Sequence, residues 1–322
     1  MRRIGFELTD RCNLACTHCL RSINHDRGNI DTAVVRSALF EAAGLGFEEV
    51  VFTGGEPTLH PDFISLAEDA LQAGLYLTVV TNGQRPEPIW EVYRQSEHLD
   101  RMTVALSLEG ADESTFNLIR GKRAYRRFMQ TVLGLQARQL NIRFSATIGP
   151  WNQDQIRPIL RLAHDLSVDS VSLAAYQPTM RDDDLMDIDE YAALIQELET
   201  SAKTSAVPVI LSYEPITDRA THRCSTLSLE DLNVNHRGQL TFCCQLSTLY
   251  QSPDPDAIVV GDLQELDVPG AVAAQLRAVA AFLQQKLEAW DEGPPRESDR
   301  HPCAYCLRVF GQHAEGSIQH AA

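Results

Sequence analysis

Three cysteines stand close together near the start of the chain, Cys12-x3-Cys16-x2-Cys19, in the segment TDRCNLACTHC. Thiolates are soft ligands for zinc and for iron–sulfur clusters. Three of them fill three corners of a four-iron cubane and leave one iron open to a small molecule, whereas an ordinary ferredoxin cluster takes four. A structural zinc site also takes four ligands, and His18 is the nearest candidate for the last. After a long gap come Cys224, Cys243, Cys244, Cys303 and Cys306. Grouped thiols in so long a chain point to metal or redox chemistry, not to the dense disulfides of a small secreted domain.

The elements that position these residues alternate. Short β-rich runs at 4–8, 49–52, 76–80, 102–107, 142–147 and 170–173 are separated by helical patterns at 32–43, 61–73, 88–95, 124–135 and 153–166. A further helix at 188–200 leads into the apolar run 207–211. Asp31 and Asn152 are expected N-caps, and Gly44 and Gly74 expected stops. Six βα units in succession call for parallel strands with right-handed crossovers. They fall short of a full eightfold barrel, so the expected fold is α/β, a partial (β/α)6 TIM-like barrel. Ligands then sit at the C-terminal ends of the strands. The alternation stops near residue 213, dividing the chain into a barrel at 1–212 and a smaller unit at 213–322. In the second unit, NVNHRGQLTF predicts a β-hairpin turning at Arg237-Gly238, and 271–288 predicts a helix.

Composition limits the partners. The chain has 322 residues, 44% hydrophobic and 22% charged, enough for a proper core. Its 28 basic against 44 acidic residues give a net charge of −16. That excess repels nucleic acid and anionic lipid and favours a cationic small molecule or basic peptide. The N-terminus has no apolar signal region and no apolar run reaches membrane-spanning length, so the expected location is cytoplasmic.

The spacing Cys12-x3-Cys16-x2-Cys19 after the first strand of a βα repeat resembles the radical S-adenosylmethionine (SAM) superfamily, with His18 where that family prefers an aromatic. The second strand ends in Thr53-Gly54-Gly55-Glu56-Pro57, like the family segment that binds the amino group of SAM. Gly54 and Gly55 let backbone approach a ligand, and Glu56 offers an anion to an ammonium. Asn82 after the third strand, Ser107 and Glu109 after the fourth, and Arg120 beyond match segments that surround the ribose and carboxylate of SAM in related enzymes. The resemblance covers 3–212. It implies a [4Fe-4S] cluster on Cys12, Cys16 and Cys19, a flavodoxin- or ferredoxin-type reductant, and cleavage of SAM to a 5′-deoxyadenosyl radical that abstracts hydrogen from an unactivated C–H.

Cys224-x13-Gly238-x4-Cys243, followed by Cys303-x2-Cys306, resembles the shortened auxiliary-cluster unit called a twitch domain, related to the longer SPASM unit. The resemblance implies a second [4Fe-4S] cluster on Cys224, Cys243, Cys303 and Cys306. Taken alone, the same four residues suit a zinc site equally well. Cys244 is then spare. If Cys243 faces the cluster, an adjacent strand residue faces away, and its S–H can give a hydrogen atom to a carbon radical. Twitch-type epimerases of peptides and of an aminoglycoside use a cysteine in that way.

Epimerisation of a peptide or aminoglycoside, with Cys244 as donor, is therefore the leading expectation. A dehydrogenase or cross-linking enzyme that passes the substrate electron to the auxiliary cluster is the alternative. No separate peptide-recognition domain precedes the barrel, which favours a small substrate or a short peptide segment. The acidic stretch at 181–190 and Tyr176-Gln177-Pro178 are secondary candidates for its cavity.

Overall fold

The computed structural model describes residues 2–19, 28–176, 186–222, 224–247, 258–291 and 293–310. Gln177, Pro178 and residues 181–185 of the acidic stretch lie outside the described residues. Among the described residues, no helix is long and apolar enough to cross a membrane.

The chain begins with β1 (Arg3–Thr9), α1 (Thr32–Gly44), β2 (Glu49–Gly54), α2 (Phe63–Gln72), β3 (Tyr76–Thr81) and α3 (Glu87–Gln95). Next come β4 (Met102–Ser107), α4 (Glu113–Arg120), α5 (Ala124–Gln136), β5 (Asn141–Ile148), α6 (Ile156–Asp165) and β6 (Ser170–Ala175). Then α7 (Ile188–Lys203) leads to a short β7 (Val209–Ser212). Strands β1 to β7 pair in sequence order and in parallel, as six βα units and an added strand require.

The second unit joins the same sheet. β8 (Asp231–Val234) pairs in parallel with β1, placing Asp231 opposite Arg3, and β9 (Gln239–Thr241) and β10 (Val259–Asp262) extend it antiparallel. The β8–β9 turn is closed by Asn235, whose Oδ1 accepts from Arg237 N at 2.9 Å and Gln239 N at 3.1 Å, with Gly238 at φ +85°. The unit ends with α8 (Val268–Ala289) and α9 (Pro302–Val309). Phe242, Leu246, Phe282, Trp290, Tyr305 and Leu307 form a small core of their own beside the main one.

Alternation along the strands separates two faces. Ile4, Phe6, Leu8, Val50, Phe52, Val104, Leu106, Phe144 and Leu173 are buried against the helices. The intervening residues, among them Glu7, Thr53, Ser107, Ser145, Thr147 and Ser172, face the barrel interior together with Val51, Val80, Ala105 and Ala174, so that face is mostly polar.

Three local expectations are corrected. Asp31 caps α1 as expected, accepting from Ala33 N at 2.7 Å, but Asn152 makes no side-chain cap. Its amide turns inward and bonds the carbonyls of Glu109 and Thr147 at 2.9 and 3.0 Å. Gly44 is the last residue of α1, and the left-handed glycine after it is Gly46. β9 ends at Thr241, so Cys243 and Cys244 lie in the turn beyond it and strand alternation does not separate them.

Candidate functional site

The three N-terminal cysteines occupy the loop that leaves β1, at the C-terminal mouth of the barrel. Cys16 is buried, and Cys12 and Cys19 are half-buried. The loop is held by backbone contacts. Gly55 N donates to Thr9 O at 2.7 Å and Glu56 N to Arg11 O at 2.8 Å, clamping the end of β2 to the start of the cysteine loop. A Cβ at Gly54 would lie 2.4 Å from Thr9 O, and one at Gly55 2.2 Å from Arg11 O. These glycines therefore admit the chain's own backbone. Gly55→Ala is expected to lower stability by about 1–3 kcal/mol through overpacking and to displace the loop, measured by urea unfolding and iron loading.

Glu56 lies within this clamp, fully buried. Its carboxylate accepts from the Thr58 hydroxyl at 2.7 Å, the Thr81 hydroxyl at 2.8 Å and Asn82 N at 2.8 Å. Burial raises its pKa, against these bonds. Its oxygens already serve three of the chain's own donors, so Glu56 has a positioning role in the fold besides the ammonium contact expected of it. Glu56 fixes the ends of β2 and β3 together. Asn82, at the end of β3, donates from Nδ2 to Asn13 Oδ1 at 2.7 Å and toward Cys12 Sγ at 3.8 Å.

On the other side of the loop, Thr17 N donates to Ile119 O at 3.0 Å, joining the cysteines to the end of α4. That contact brings in Arg120, whose guanidinium forms a buried two-point pair with Glu109, one bond being 2.7 Å. His18 Nε2 stands 3.7 Å from the same carboxylate, and its ring lies 6.1 Å from Trp151. Burial works to raise the Glu109 pKa, but Arg120 and His18 outweigh it and the net direction is down. The Arg120 charge in turn opposes the upward push of burial on Cys16, whose thiol sits at about 11. Arg120→Met leaves Glu109 buried without its cation, and a loss of about 3–5 kcal/mol is expected in urea unfolding. Ser107 faces the interior at the end of β4, opposite Ser145. The structure thus gathers the N-terminal candidates around one mouth. The mutual pairing of Glu109 with Arg120 and the bracing by Asn13 and Asn152 escape sequence reading, since nothing in their spacing marks them.

The C-terminal cysteines lie at the other end of β1. Cys303 and Cys306 are on α9, Cys224 precedes β8 and Cys243 follows β9. Cys243 and Cys306 feel one another and Cys224 electrostatically, and burial pushes all of these thiols up, Cys306 to about 12. Among the described residues, no three Cys, His, Asp or Glu side chains converge as the ligands of a single ion do.

Cys244 is placed differently from Cys243. Its main electrostatic neighbours are Asp231 and Arg3 at the starts of β8 and β1, with Cys224 and Glu7 beyond them. Its side chain is solvent-exposed, and desolvation by the surrounding chain pushes its thiol up to about 11. Ser247 anchors this turn, donating to Cys244 O at 2.8 Å and bonding the carboxylate of Glu7 on the interior face of β1.

Residues 6–163 match the family model of the Radical SAM superfamily, and the chain carries a radical SAM domain. Such a domain implies SAM and a [4Fe-4S] cluster. The chain is 30% identical over 174 residues to the PqqA peptide cyclase of Ruegeria pomeroyi, an alignment covering 53% of this chain and 46% of that one. It is 27% identical over 186 residues to the AdoMet-dependent heme synthase of Methanosarcina barkeri, covering 57% and 53%. The chain thus spans about half the length of these curated relatives. Two solved structures share its fold. Streptococcus suis SuiB bound to the precursor peptide SuiA has a TM-score of 0.68 at 15% identity, covering 87% of this chain and 66% of that one. The anSMEcpe structure with bound AdoMet has a TM-score of 0.67 at 14% identity, covering 99% and 92%.

Proposed function

We propose that this chain is a radical SAM epimerase that inverts a stereocentre in a peptide segment, with Cys12, Cys16 and Cys19 holding the SAM-binding cluster and Cys244 returning the hydrogen. The observation that carries the reading is the placement of the two cysteine sites at opposite ends of β1. Seven residues of β1 rise about 23 Å at about 3.3 Å each, which leaves the mostly polar interior between them for a substrate. Cys12, Cys16 and Cys19 would hold the cluster at the mouth, where it would supply, with SAM, the chemistry that removes one hydrogen atom. Cys244 gives one hydrogen atom back from the far side, which is what inversion requires. Its sulfur then regains an electron from a flavodoxin- or ferredoxin-type reductant and a proton from water.

The residues of the mouth suit that cofactor. Gly54, Gly55 and Glu56 hold the loop, Asn82 directs an N–H at Cys12, Glu109 and Arg120 act on Cys16, His18 sits in the cysteine loop beside Glu109, and Ser107 ends β4 at the same mouth. Cys224, Cys243, Cys303 and Cys306 hold an auxiliary [4Fe-4S] cluster in this reading, which is supported by the electrostatic proximity of these four thiols to one another. The names of PqqA peptide cyclase and of SuiB with its precursor peptide favour a peptide over an aminoglycoside. The net charge of −16 favours a basic one.

The test is to incubate reconstituted enzyme with SAM, dithionite and a panel of short Lys- and Arg-rich peptides in D2O. The expected product carries one deuterium and releases a D-amino acid on hydrolysis, read by chiral chromatography. A second reading, peptide cross-linking or dehydrogenation through the auxiliary cluster, is favoured by the likeness to PqqA peptide cyclase. A product lighter by two hydrogens, with no deuterium, establishes that reading instead.

A further inference from the structure

Helix α8 carries a lysine on an inner face that is otherwise apolar except for Gln275, whose amide donates to Phe242 O at 2.9 Å. Lys286 is 1% exposed, among Phe282, Trp290 and Tyr305. A buried ammonium without a partner is costly and needs compensation. Part of that compensation is visible. The ammonium lies 4.6 Å from the centroid of Trp290 and 4.8 Å from that of Tyr305, and Nζ is 3.2 Å from His222 Nδ1. Among the described residues no carboxylate closes an ion pair with it. Asp299, which acts electrostatically on Lys286, is engaged by Arg308 at 2.9 and 2.6 Å.

The groups that Lys286 does touch bracket the C-terminal cysteines. His222 is two residues before Cys224, and Tyr305 stands between Cys303 and Cys306 on α9. The ammonium therefore bridges the two segments that bring these thiols together. Its surroundings agree: burial lowers the Lys286 pKa, while Cys306, Asp299, Cys224 and Cys303 all act to keep it charged.

We propose that Lys286 is the built-in counter-charge of the C-terminal cysteine centre and raises the reduction potential of the cluster held there. The proposal rests on the auxiliary-cluster reading above. A cubane bound by four thiolates is anionic, and one-electron reduction adds a further negative charge without making or breaking a bond to the protein. A fixed cation in a poorly screened interior favours the reduced form, and N–H donors directed at cluster sulfur act in the same direction. Lys286 is thus a positioning and tuning residue, separate from the chemistry at the substrate.

The test uses the full chain with Cys12, Cys16 and Cys19 replaced by alanine, so that one centre remains, and an EPR-monitored redox titration with mediated dithionite. In Lys286→Met the ratio of reduced to oxidised cluster, read at the parent's midpoint potential, is expected to fall at least tenfold, about 59 mV for a one-electron couple. Lys286→Arg, which keeps the charge, is expected to stay within about threefold of the parent. An unchanged ratio in Lys286→Met with its iron intact overturns the proposal and leaves the cluster standing, as does an equal fall in Lys286→Arg. If Lys286→Met and Lys286→Gln both shed iron while Lys286→Arg keeps it, the requirement for charge is upheld. Iron shed by Lys286→Arg as well overturns it. Zinc in place of iron in the parent overturns the auxiliary-cluster reading itself.

Discussion

With Cys12, Cys16 and Cys19 all replaced by alanine, the protein is expected to make no 5′-deoxyadenosine from SAM under dithionite, a loss of at least about a thousandfold. The expectation follows from where the three thiols stand. They share one loop after β1, clamped at Gly55 and Glu56 on one side and at Ile119 on the other. Only Cys16 is buried, so alanine there removes little core packing. The fold is therefore expected to survive, with far-UV circular dichroism unchanged and a thermal midpoint within a few degrees of the parent. Liquid chromatography with mass detection of 5′-deoxyadenosine reads the outcome. Cleavage retained at a tenth of the parent rate or more places the SAM-cleaving centre elsewhere.

Cys244→Ala is expected to separate two activities that the parent couples. Formation of 5′-deoxyadenosine stays within about threefold of the parent, while inverted product falls at least about a hundredfold. The reason is geometric. Cys244 lies near Arg3 and Asp231, at the start of β1, and the cysteine mouth proposed to cleave SAM lies beyond its end. Removing the distant thiol leaves the mouth intact and takes away only the returned hydrogen. Cys244→Ser is expected to fail equally, because an alcohol O–H is a much poorer hydrogen-atom donor than a thiol. Inverted product from either variant at parental yield assigns the return step to another group and leaves Cys244 with no part in it.

The barrel is legible in the sequence because its signals are periodic and local. Runs such as 102–107 coincide with β4, and the others extend by one or two residues at their ends. The N-terminal site is legible because its residues fall at successive strand ends. What escapes sequence reading depends on contacts between distant segments. Helix α4 passes unnoticed as a short stretch between a strand-end motif and the next helix, yet it delivers Arg120 to Glu109. The pairing of β8 with β1, which merges the second unit into the barrel sheet, has no local signature. Glu56 reads as a free anion in sequence, since nothing there reveals that Thr58, Thr81 and Asn82 converge on its two oxygens. Lys286 carries a faint signal, a lone lysine one helical turn before Trp290, and only the fold brings His222 against it.

The most direct test of the central claim, two iron–sulfur centres at opposite ends of β1, is iron and sulfide analysis with Mössbauer spectroscopy. It is made on anaerobically reconstituted protein and on the Cys12/Cys16/Cys19→Ala variant. The prediction is about eight irons per chain falling to about four, all in cubane clusters. About four irons in the parent, all lost in the variant, with zinc bound to the parent, contradicts it and makes the C-terminal cysteines a structural metal site.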